Sequence, residues 1–288
     1  MLNVVTDLFR ELNLLDPGDE PVYDVAISSP AMYNIGAFTA RGNFFHVKVK
    51  NIGHLPEEYR NCRNAWEAFP RYAPKPLGNY LRGGWEILVV RGIRHRALSS
   101  HGLKGSGREV RQEIVRYLRF AARTAPVLQP TEPHAAALGR LQARETDPAC
   151  LSVLRQWLRS DALASLPCIR QHGDFVVNNL GTTGSGLVVF DWEDFGRVCL
   201  PGFDLCTLLA SEVRFDPVQL RMMMDADGRF PAVYRELIEA GSAAAGVESG
   251  LFRRMMPLHL VVFLDMKRSY GPAIVDRVKT ALAGLQLT

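Results

Sequence analysis

Three polar side chains stand at intervals that suit the transfer of a phosphoryl group: Asp174, Asn179 and Asp191. Asp174 and Asn179 are close enough in sequence for a tight loop to turn both toward one cavity. Asp191 directly follows the apolar run 187–190, which is typical of a buried strand. Phosphoryl transfer needs one carboxylate to orient the acceptor hydroxyl and oxygen ligands to hold Mg²⁺ against the phosphates. Asp174 suits the first task, and Asn179 and Asp191 suit the second, because Mg²⁺ prefers a few hard oxygen ligands.

The sequence reads H-G-D-x-x-x-x-N from His172 to Asn179, and D-W-E from Asp191 onward. This arrangement resembles the aminoglycoside phosphotransferase and choline kinase family, whose loop corresponds to the H-R-D-x-x-x-x-N catalytic loop of protein kinases. The resemblance implies an α+β, bilobal, protein-kinase-like fold, with a small antiparallel β-sheet lobe and a larger helical lobe. It also implies ATP, or GTP, as the phosphate donor and Mg²⁺ as the metal. His172 is expected to brace the loop by hydrogen bonding rather than to act as a base.

A second aspartate competes for the role of metal ligand. Asp194-Phe195-Gly196 spells the metal-binding triplet of protein kinases. The apolar run ends at Phe190, however, so that Asp191 stands at the carboxyl end of the expected strand. We therefore predict Asp191 as the ligand and keep Asp194 as the alternative.

The composition is that of an ordinary globular protein of 288 residues, with 47% hydrophobic and 22% charged residues and a net charge of +4. This length is enough for one large domain or for two lobes. The mild charge gives no case for nucleic-acid binding, which usually shows a concentrated basic stripe. The 5 cysteines are scattered without a C-x-x-C pair, which predicts reduced thiols in a cytoplasmic protein rather than a disulfide framework or a zinc site.

Neither end of the sequence has the pattern of a membrane segment. Charged residues interrupt the apolar positions of the stretch 1–15, which is expected to form an amphipathic helix packed on the domain rather than a signal peptide. The apolar run 258–264 is too short to span a bilayer. We therefore expect no membrane partner.

Three segments with strand character, 22–29, 34–40 and 43–50, are expected to form an antiparallel meander. In the third segment, alternation places Lys48 and Lys50 on one face and apolar residues on the other. The resemblance implies that a lysine on this strand neutralises the phosphates of the nucleotide. We predict that Lys48 has this role, with Lys50 as the alternative; the commoner fate of a lysine is to be solvated on the surface.

A helix is predicted at 56–69, with a proline in its first turn and two acidic residues near its positive end. The family resemblance implies that a glutamate of this helix holds the strand lysine in place. We choose Glu58, with Glu57 as the alternative, although both would also serve as favourable first-turn acids. The expected buried face, set by spacings of three and four, consists of Tyr59, Cys62, Trp66 and Phe69.

Two further segments are expected to contact the nucleotide. The turn after the first strand contains Ser28 and Ser29 in place of a glycine-rich loop, and their hydroxyl or N–H groups could donate to phosphate. Ser-Pro is also ordinary turn chemistry, so this signal is weak. The strand-like run 85–90 leads to the expected hinge, where Val90 to Gly92 would present backbone groups to the base.

Residues 1–91 are expected to form the N-terminal nucleotide-binding lobe and residues 92–288 the C-terminal helical lobe, with the catalytic loop and the acceptor site. The basic stretch 91–108 is either a solvated loop or a contact for an acidic or phosphorylated partner. Helices are predicted at 108–124, 132–145 and 148–160, the last with Asp147 as its cap, and again throughout 220–285. Asp204 is expected to cap a helix or to brace the catalytic loop.

These residues together predict a kinase that phosphorylates a hydroxyl of a small molecule such as a sugar, an aminoglycoside or an amino alcohol. The alternative is a catalytically silent kinase-fold module that binds a nucleotide or another protein. The sequence does not indicate the oligomeric state. A polycationic acceptor would require an acidic pocket, for which the candidates are Glu193, Asp194, Glu212 and Asp216.

Overall fold

The computed structural model describes residues 1–29, 32–51, 55–100, 102–124, 133–225, 229–268 and 272–286. The chain forms two compact units. The first comprises Met1–Arg96 with Thr183–Asp194, and the second comprises Ala97–Thr182 with Phe195–Thr288. The segment 183–194 thus belongs to the first unit, although the sequence pattern places it within the C-terminal lobe. The predicted lobe boundary at 91/92 stays a prediction.

The strands and helices of the described residues have the following bounds. The strands are β1 (Val22–Ser29), β2 (Met32–Phe38), β3 (Phe44–Lys50), β4 (Pro76–Arg82), β5 (Trp85–Arg91), β6 (Arg96–Ala97), β7 (Leu180–Thr183) and β8 (Gly186–Val189). The helices are α1 (Leu2–Glu11), α2 (Leu55–Ala68), α3 (Gly102–Gly105), α4 (Arg108–Thr124), α5 (His134–Arg144), α6 (Pro148–Leu158), α7 (Ala162–Ser165), α8 (Phe203–Glu212), α9 (Pro217–Met224), α10 (Ala232–Ala244), α11 (Ser249–Met266) and α12 (Pro272–Gln286). Short 3₁₀ turns occupy Leu98–Ser100, Val177–Asn179 and Trp192–Asp194.

The first unit is built on a five-stranded antiparallel sheet with the strand order β1-β2-β3-β5-β4. Alternation along β3 buries Phe45, Val47 and Val49 on one face, as the sequence predicts. Helix α1 packs on this face, where the ring of Phe9 meets the ring of Phe45 edge-on with 5.1 Å between centroids. The other face of β3 carries the polar residues, which sets the direction in which Lys48 projects.

Strand β4 is not predicted by the sequence, because Pro76, Gly78 and Asn79 are typical of turns. It forms an edge of the sheet and pairs with β5. Proline is tolerated at the first residue of an edge strand, where its missing N–H group breaks no ladder. A register shift between Pro76 and Gly78 accommodates the irregular start. Because β4 takes the edge, β5 lies in the interior of the sheet, between β3 and β4.

Helix α2 begins and ends within one residue of the predicted 56–69. Its predicted buried face is partly wrong: Cys62 is buried as expected, but Tyr59 and Trp66 are half-buried. The prediction weighed the large aromatic side chains, and this placed the expected buried face one position away from the observed one. The real face includes Glu58, which is 8% exposed. The helix therefore directs a carboxylate into the interior of the first unit.

The second unit is almost entirely helical in its described part. Helix α4 has the predicted bounds, and α6 begins directly behind Asp147 as predicted. The side chain of Asp147 accepts hydrogen bonds from the N–H groups of Ala149 and Cys150, which have no partner within the helix. The described residues of 220–285 form the end of α9 and helices α10 to α12. The predicted helical character of this region is confirmed.

Helix α8 is the most buried element of the second unit, since every residue from Phe203 to Ala210 is buried. Gly202 precedes it with a φ of 78°, and a Cβ there would lie 2.9 Å from the ring of Phe252. Both the backbone conformation and the space therefore require glycine. Backbone hydrogen bonds join the segment 169–171, which leads into the candidate catalytic loop, to 196–199. These contacts fix the start of that loop.

The class of the fold is α+β, with an antiparallel sheet in the N-terminal unit and helices in the other, as predicted. Within the described ranges, none of the helices has both the length and the apolar character needed to cross a membrane.

Candidate active site

The first unit contains a group of four charged residues, which we call the Lys48 cluster: Lys48, Glu58, Asp191 and Glu193. The Nζ atom of Lys48 lies 2.5 Å from Glu58 Oε1 and 2.7 Å from Asp191 Oδ1. Glu193 Oε2 lies further away, at 3.8 Å. Strand β3 supplies the lysine, α2 supplies one glutamate, and the turn after β8 supplies the other two residues. One ammonium group thus meets three carboxylates.

The charge of Lys48 is set by these neighbours. Burial alone would lower the pKa of Lys48, but the carboxylates of Asp191, Glu58 and Glu193 hold it well above its usual range. Lys48 therefore carries its positive charge at any physiological pH. Lys50 lies on the same face of β3, yet it pairs with no carboxylate among the described residues.

The two glutamates at the start of α2 lie in different environments. Glu58 is on the buried face and contacts Lys48, whereas Glu57 is exposed. The geometry thus favours Glu58 over Glu57 and Lys48 over Lys50. The role of the pair in nucleotide binding stays a prediction.

Asp191 has a left-handed backbone conformation, with a φ of 63°. Asp and Asn adopt this conformation more readily than most residues with a side chain. The turn that follows is fixed at two points: Trp192 Nε1 donates to the carbonyl of Val189 at 2.7 Å, and Asn61 Nδ2 donates to the carbonyl of Glu193 at 2.6 Å. These bonds direct the Asp191 carboxylate toward Lys48.

Asp191 and Asp194 differ in their access to solvent. The side chain of Asp191 is 34% exposed, whereas Asp194, at the end of the 3₁₀ turn, is 3% exposed. An ion arriving from solvent would therefore reach Asp191 more readily. The geometry supports the choice of Asp191 as the candidate metal ligand.

The donor set of the Lys48 cluster fits a divalent cation. One oxygen from each of Glu58, Asp191 and Glu193 lies within 4.8 Å of the others. Three carboxylates facing one ammonium leave an excess of negative charge, and carboxylate oxygens are the hard ligands that Mg²⁺ prefers. The second predicted ligand, Asn179, belongs to the second unit. That Asn179 and Asp191 bind the same ion stays a prediction.

The serines predicted to contact phosphate are at the end of β1. Ser28 and Ser29 are the last two residues of this strand, but their side chains lie outside the described part of the chain. Pro30 and Ala31, which complete the predicted turn, lie wholly outside it. Their contact with phosphate stays a prediction.

At the predicted nucleotide edge, the backbone donors are engaged with neighbouring residues. The N–H of Arg91 donates to the carbonyl of Lys75 at 2.8 Å, and the N–H of Gly92 donates to that of Phe44 at 2.7 Å. A base bound at Arg91 or Gly92 would therefore have to use their carbonyl groups. A Cβ on Gly92 would lie 2.3 Å from the ring of Phe44, so this position requires glycine for packing alone.

Beside this edge lies an aromatic group that the sequence analysis did not single out. His46 pairs with Val90 across the sheet, and the ring of Phe190 lies 5.9 Å from His46 and 4.3 Å from His95. Burial lowers the pKa of His46 to about 4, and the charges of His95 and Lys48 add to this effect. The His46 imidazole is therefore neutral at physiological pH.

The second unit contains the candidate catalytic loop, residues 171–179, centred on Asp174. Asn179 Nδ2 donates to the backbone carbonyl of Asp174 at 2.9 Å and to its Oδ2 at 3.1 Å. The tight turn thus brings Asp174 and Asn179 together, as their spacing predicts. His172 Nδ1 accepts a hydrogen bond from the N–H of Asp174 at 3.1 Å, so His172 braces the loop as expected. Because Nδ2 faces Asp174, the carbonyl oxygen is the Asn179 atom suited to a metal ion.

Asp204 supports this loop from helix α8. Its Oδ2 accepts hydrogen bonds from the N–H of His172 at 2.8 Å and the hydroxyl of Tyr117 at 2.9 Å, and its Oδ1 accepts one from the N–H of Gly173 at 3.1 Å. Asp204 is fully buried, and burial raises its pKa, while these hydrogen bonds oppose the rise. Since Gly202 is the N-cap of α8, Asp204 is a brace and not a cap.

Lys267 is a residue of this site that sequence reasoning missed. It directly follows α11, is 2% exposed, and its Nζ lies 3.2 Å from Asp174 Oδ2. A lysine that follows a helix is usually solvated, and its positive charge is stabilised by the negative end of the helix dipole. No local pattern distinguishes Lys267 from such a residue, because its partner is distant in the sequence.

The four acidic candidates for a polycation pocket are divided between the two units. Glu193 and Asp194 lie in the first unit, and Glu212 and Asp216 lie in the second. Glu212 accepts hydrogen bonds from a backbone N–H of α3 and from the hydroxyl of Tyr234, both at 3.0 Å. Asp216 caps α9. The latter two thus have structural partners.

Residues 39–237 match the sequence model of the phosphotransferase enzyme family, which covers well over half of the chain. The chain belongs to this family. Membership makes it a small-molecule phosphotransferase, which confirms the prediction of a kinase-type enzyme. No curated protein gives a significant match.

Solved structures of aminoglycoside and macrolide phosphotransferases have the same fold as this chain. The GDP and kanamycin complex of APH(2")-IIia superposes with a TM-score of 0.64 at 10% identity, covering 98% of both chains. Macrolide 2'-phosphotransferase type I gives 0.60 at 13% identity, covering 99% of this chain and 97% of its own. Macrolide 2'-phosphotransferase MphH from Brachybacterium faecium gives 0.59 at 15% identity, covering 100% and 98%. The bilobal kinase-like fold expected from the motif is therefore confirmed.

Proposed function

We propose that this phosphotransferase moves the γ-phosphoryl group of ATP or GTP, with Mg²⁺, onto a hydroxyl group of a small molecule. The observation that carries the proposal is the position of Lys48, whose ammonium contacts both Glu58 and Asp191. A lysine held by a helical glutamate beside a metal-binding aspartate is the arrangement that a kinase uses to place nucleotide phosphates. The Lys48 cluster of the first unit and the candidate catalytic loop of the second unit are both proposed to serve this one reaction.

Each side chain has a separate part in the proposed reaction. Lys48 binds the phosphates, and Glu58 keeps Lys48 in place. Asp174 accepts a hydrogen bond from the acceptor hydroxyl and then its proton. The hydroxyl oxygen forms a bond to the γ-phosphorus while the bond from this phosphorus to the leaving nucleoside diphosphate breaks. The products are a phosphate ester and a nucleoside diphosphate.

The metal would be held by Asp191 and by the carbonyl oxygen of Asn179. Bound Mg²⁺ would neutralise the charge of the phosphates and draw electron density toward the leaving group. Asp191 is partly exposed and Asn179 is turned by its own hydrogen bonds to Asp174, so both can present oxygen atoms. The remaining predicted contacts, from Ser28, Ser29 and the edge at Val90 to Gly92, belong to the same proposal.

The acceptor and the base of the nucleotide have to be found by screening. The solved relatives include a complex with GDP and kanamycin and one with ADP and hygromycin B, as well as macrolide phosphotransferases. We propose a test in which ATP and GTP are each offered with aminoglycosides, macrolides, sugars and amino alcohols. Release of nucleoside diphosphate that depends on one acceptor, with formation of its phosphate ester, is the expected result.

Nucleotide binding can be measured without knowing the acceptor. A ligand that binds only the folded protein raises the melting temperature. We expect ATP or GTP to do so, and to do so more strongly with Mg²⁺. Absence of any shift, or a shift that ignores Mg²⁺, would favour the alternative of a catalytically silent module.

Asp174→Asn tests the role of the catalytic carboxylate. If Asp174 acts as the general base, turnover should fall by about 10²- to 10⁴-fold while the nucleotide-dependent melting shift is kept. Asp161→Asn is the matched control, because Asp161 is exposed at the start of α7 and its side chain makes no capping hydrogen bond. Near-normal turnover in Asp174→Asn would refute the assignment.

A further inference from the structure

Lys267 is a buried lysine that contacts the candidate catalytic carboxylate. Its side chain is 3% exposed and the side chain of Asp174 is 14% exposed, with 3.2 Å between Nζ and Oδ2. Lysine is almost never buried to this degree unless it is paired, because removing its charge from water is costly. The ion pair with Asp174 offsets part of this cost.

The surroundings of Lys267 in the second unit favour its ammonium group. Its backbone N–H donates to the carbonyl of Phe263 at 3.0 Å, and its Nζ lies 6.0 Å from the centre of the Phe263 ring. Both the ring face and the end of α11 carry partial negative charge. The neighbouring Arg268 behaves differently, since its side chain is 41% exposed and pairs with Glu145 and Asp265.

Lys267 and Asn179 contact the same atom of Asp174. The Asn179 amide donates to Oδ2 at 3.1 Å, and the Lys267 ammonium lies 3.2 Å from that oxygen. A carboxylate is planar, so fixing Oδ2 together with the backbone also fixes the direction of Oδ1. The two donors thus set how Asp174 faces an acceptor hydroxyl.

We propose that Lys267 is a positioning residue for phosphoryl transfer: it holds Oδ2 of Asp174 so that the carboxylate faces the acceptor hydroxyl. This inference rests on the proposed function, in which Asp174 receives the hydroxyl proton as the oxygen bonds to the γ-phosphorus. Lys267 itself keeps its proton throughout that step. Stability gives no reason for a charged pair here, because apolar residues of similar volume are often as stable as a buried ion pair.

Two substitutions separate the charge of Lys267 from its packing. Lys267→Met keeps most of the volume and removes the charge, whereas Lys267→Arg keeps the charge. We expect Lys267→Met to lower kcat by about 10- to 100-fold, the loss expected from misplacing a reacting group by about 1 Å, with the KM for nucleotide nearly unchanged. Lys267→Arg should recover part of that loss. The control is Lys279→Met, since Lys279 is 48% exposed and lies 3.5 Å from the capping carboxylate of Asp147.

A double-mutant cycle tests whether Lys267 acts through Asp174. Each change is made alone and together in Asp174→Asn/Lys267→Met, and kcat is measured for all four proteins. If Lys267 only positions Asp174, its loss should have no further effect in the Asp174→Asn background. A purely structural defect would lower kcat in both backgrounds. Should Lys267→Met fail to melt cooperatively, Lys267→Leu takes its place in the cycle, because leucine also removes the donor to Oδ2 and is apolar.

The outcomes distinguish this inference from the proposed function. A wild-type protein that neither binds Mg-nucleotide nor transfers phosphate overturns the proposed function, and this inference with it. A wild-type protein that transfers phosphate overturns only the inference if folded Lys267→Met has the same kcat, if Lys267→Arg is no better than Lys267→Met, or if the two single losses add in the cycle. Non-additive loss with recovery by arginine supports it.

Discussion

The ammonium nitrogen of Lys48 lies 2.7 Å from Oδ1 of Asp191, although 143 positions separate the two residues in the sequence. This contact joins strand β3 to the turn after β8, which follows the candidate catalytic loop in the sequence. It also lies within a group in which Glu58 is the other close carboxylate. The relationship gives the charges of the first unit a direct experimental test.

Replacing Lys48 should impair the reaction far more than replacing Lys50. Lys48→Met removes the only ammonium group that the described residues place among the carboxylates of the Lys48 cluster. We expect turnover to fall by about 10²- to 10³-fold, as for loss of one preorganised donor in an active site. Lys50→Met is the control on the same face of the same strand. Equal losses in the two variants would contradict the assignment, and the measurement is the steady-state rate with Mg-nucleotide.

Asp191→Asn should separate metal binding from backbone strain. Asparagine tolerates the left-handed conformation at this position, so folding should be nearly unaffected while the Mg²⁺-dependent part of the nucleotide melting shift is lost. Asp191→Ala removes the same charge. Its free energy of unfolding should be lower than that of Asp191→Asn by roughly 1 kcal/mol, because alanine disfavours the left-handed backbone conformation. Urea unfolding measures the second quantity.

Asp194 provides the comparison for this experiment. Asp194→Asn changes a buried carboxylate and should lower the melting temperature, yet it should keep the Mg²⁺-dependent shift. The reverse pattern, with the shift lost in Asp194→Asn and kept in Asp191→Asn, would make Asp194 the metal ligand.

Tyr117→Phe should destabilise the candidate catalytic loop from a distance. The Tyr117 hydroxyl donates to the buried Asp204, and the Tyr117 ring stacks on Phe175 with 4.6 Å between centroids. Loss of the hydroxyl leaves the stacking intact but removes a donor to a buried acid, which should cost about 1–3 kcal/mol in free energy of unfolding. Denaturant unfolding checks this value. Tyr33→Phe is the control, since no hydrogen bond of its hydroxyl occurs among the described residues; an equal cost there would contradict the role of Tyr117.

Much of the fold could be predicted because it depends on local patterns. Alternation along 43–50 predicts the orientation of Lys48, and the cap at Asp147 predicts the start of α6. The motif spacing predicts that Asp174 and Asn179 meet. In each case the residues that decide the outcome are neighbours in the sequence.

The features that could not be predicted depend on distant partners. The apolar pattern of α2 could not place Glu58 on the buried face beside Lys48, and only the family resemblance led to the choice of this residue. Lys267 is buried because Asp174 is close, and Asp174 is far away in the sequence. Strand β4 exists because an edge position tolerates proline, and only the assembled sheet defines an edge. Burial of a charge is therefore a tertiary property.

The stability of the protein should fall in mild acid because of His259. This residue of α11 is fully buried, its Nε2 lies 3.2 Å from the carbonyl of Pro201, and burial lowers its pKa to about 3. The unfolded chain binds a proton at this residue below a pH of about 6.5, and the folded protein does not until the pH nears the lowered value. His259 therefore causes no loss above a pH of about 6.5, and stability decreases as the pH falls from there toward the lowered value of about 3, by up to about 1.4 kcal/mol per pH unit.

His259→Met should remove this contribution. The variant should be less stable than the wild type at pH 7.5, because the hydrogen bond to Pro201 is lost. Its unfolding free energy should nevertheless fall less steeply as the pH is lowered from the ordinary histidine pKa of about 6.5 toward the lowered value. Urea unfolding at a series of pH values measures both slopes. Parallel slopes for His259→Met and the wild type would show that His259 is protonated in the folded protein, and would place the acid sensitivity elsewhere.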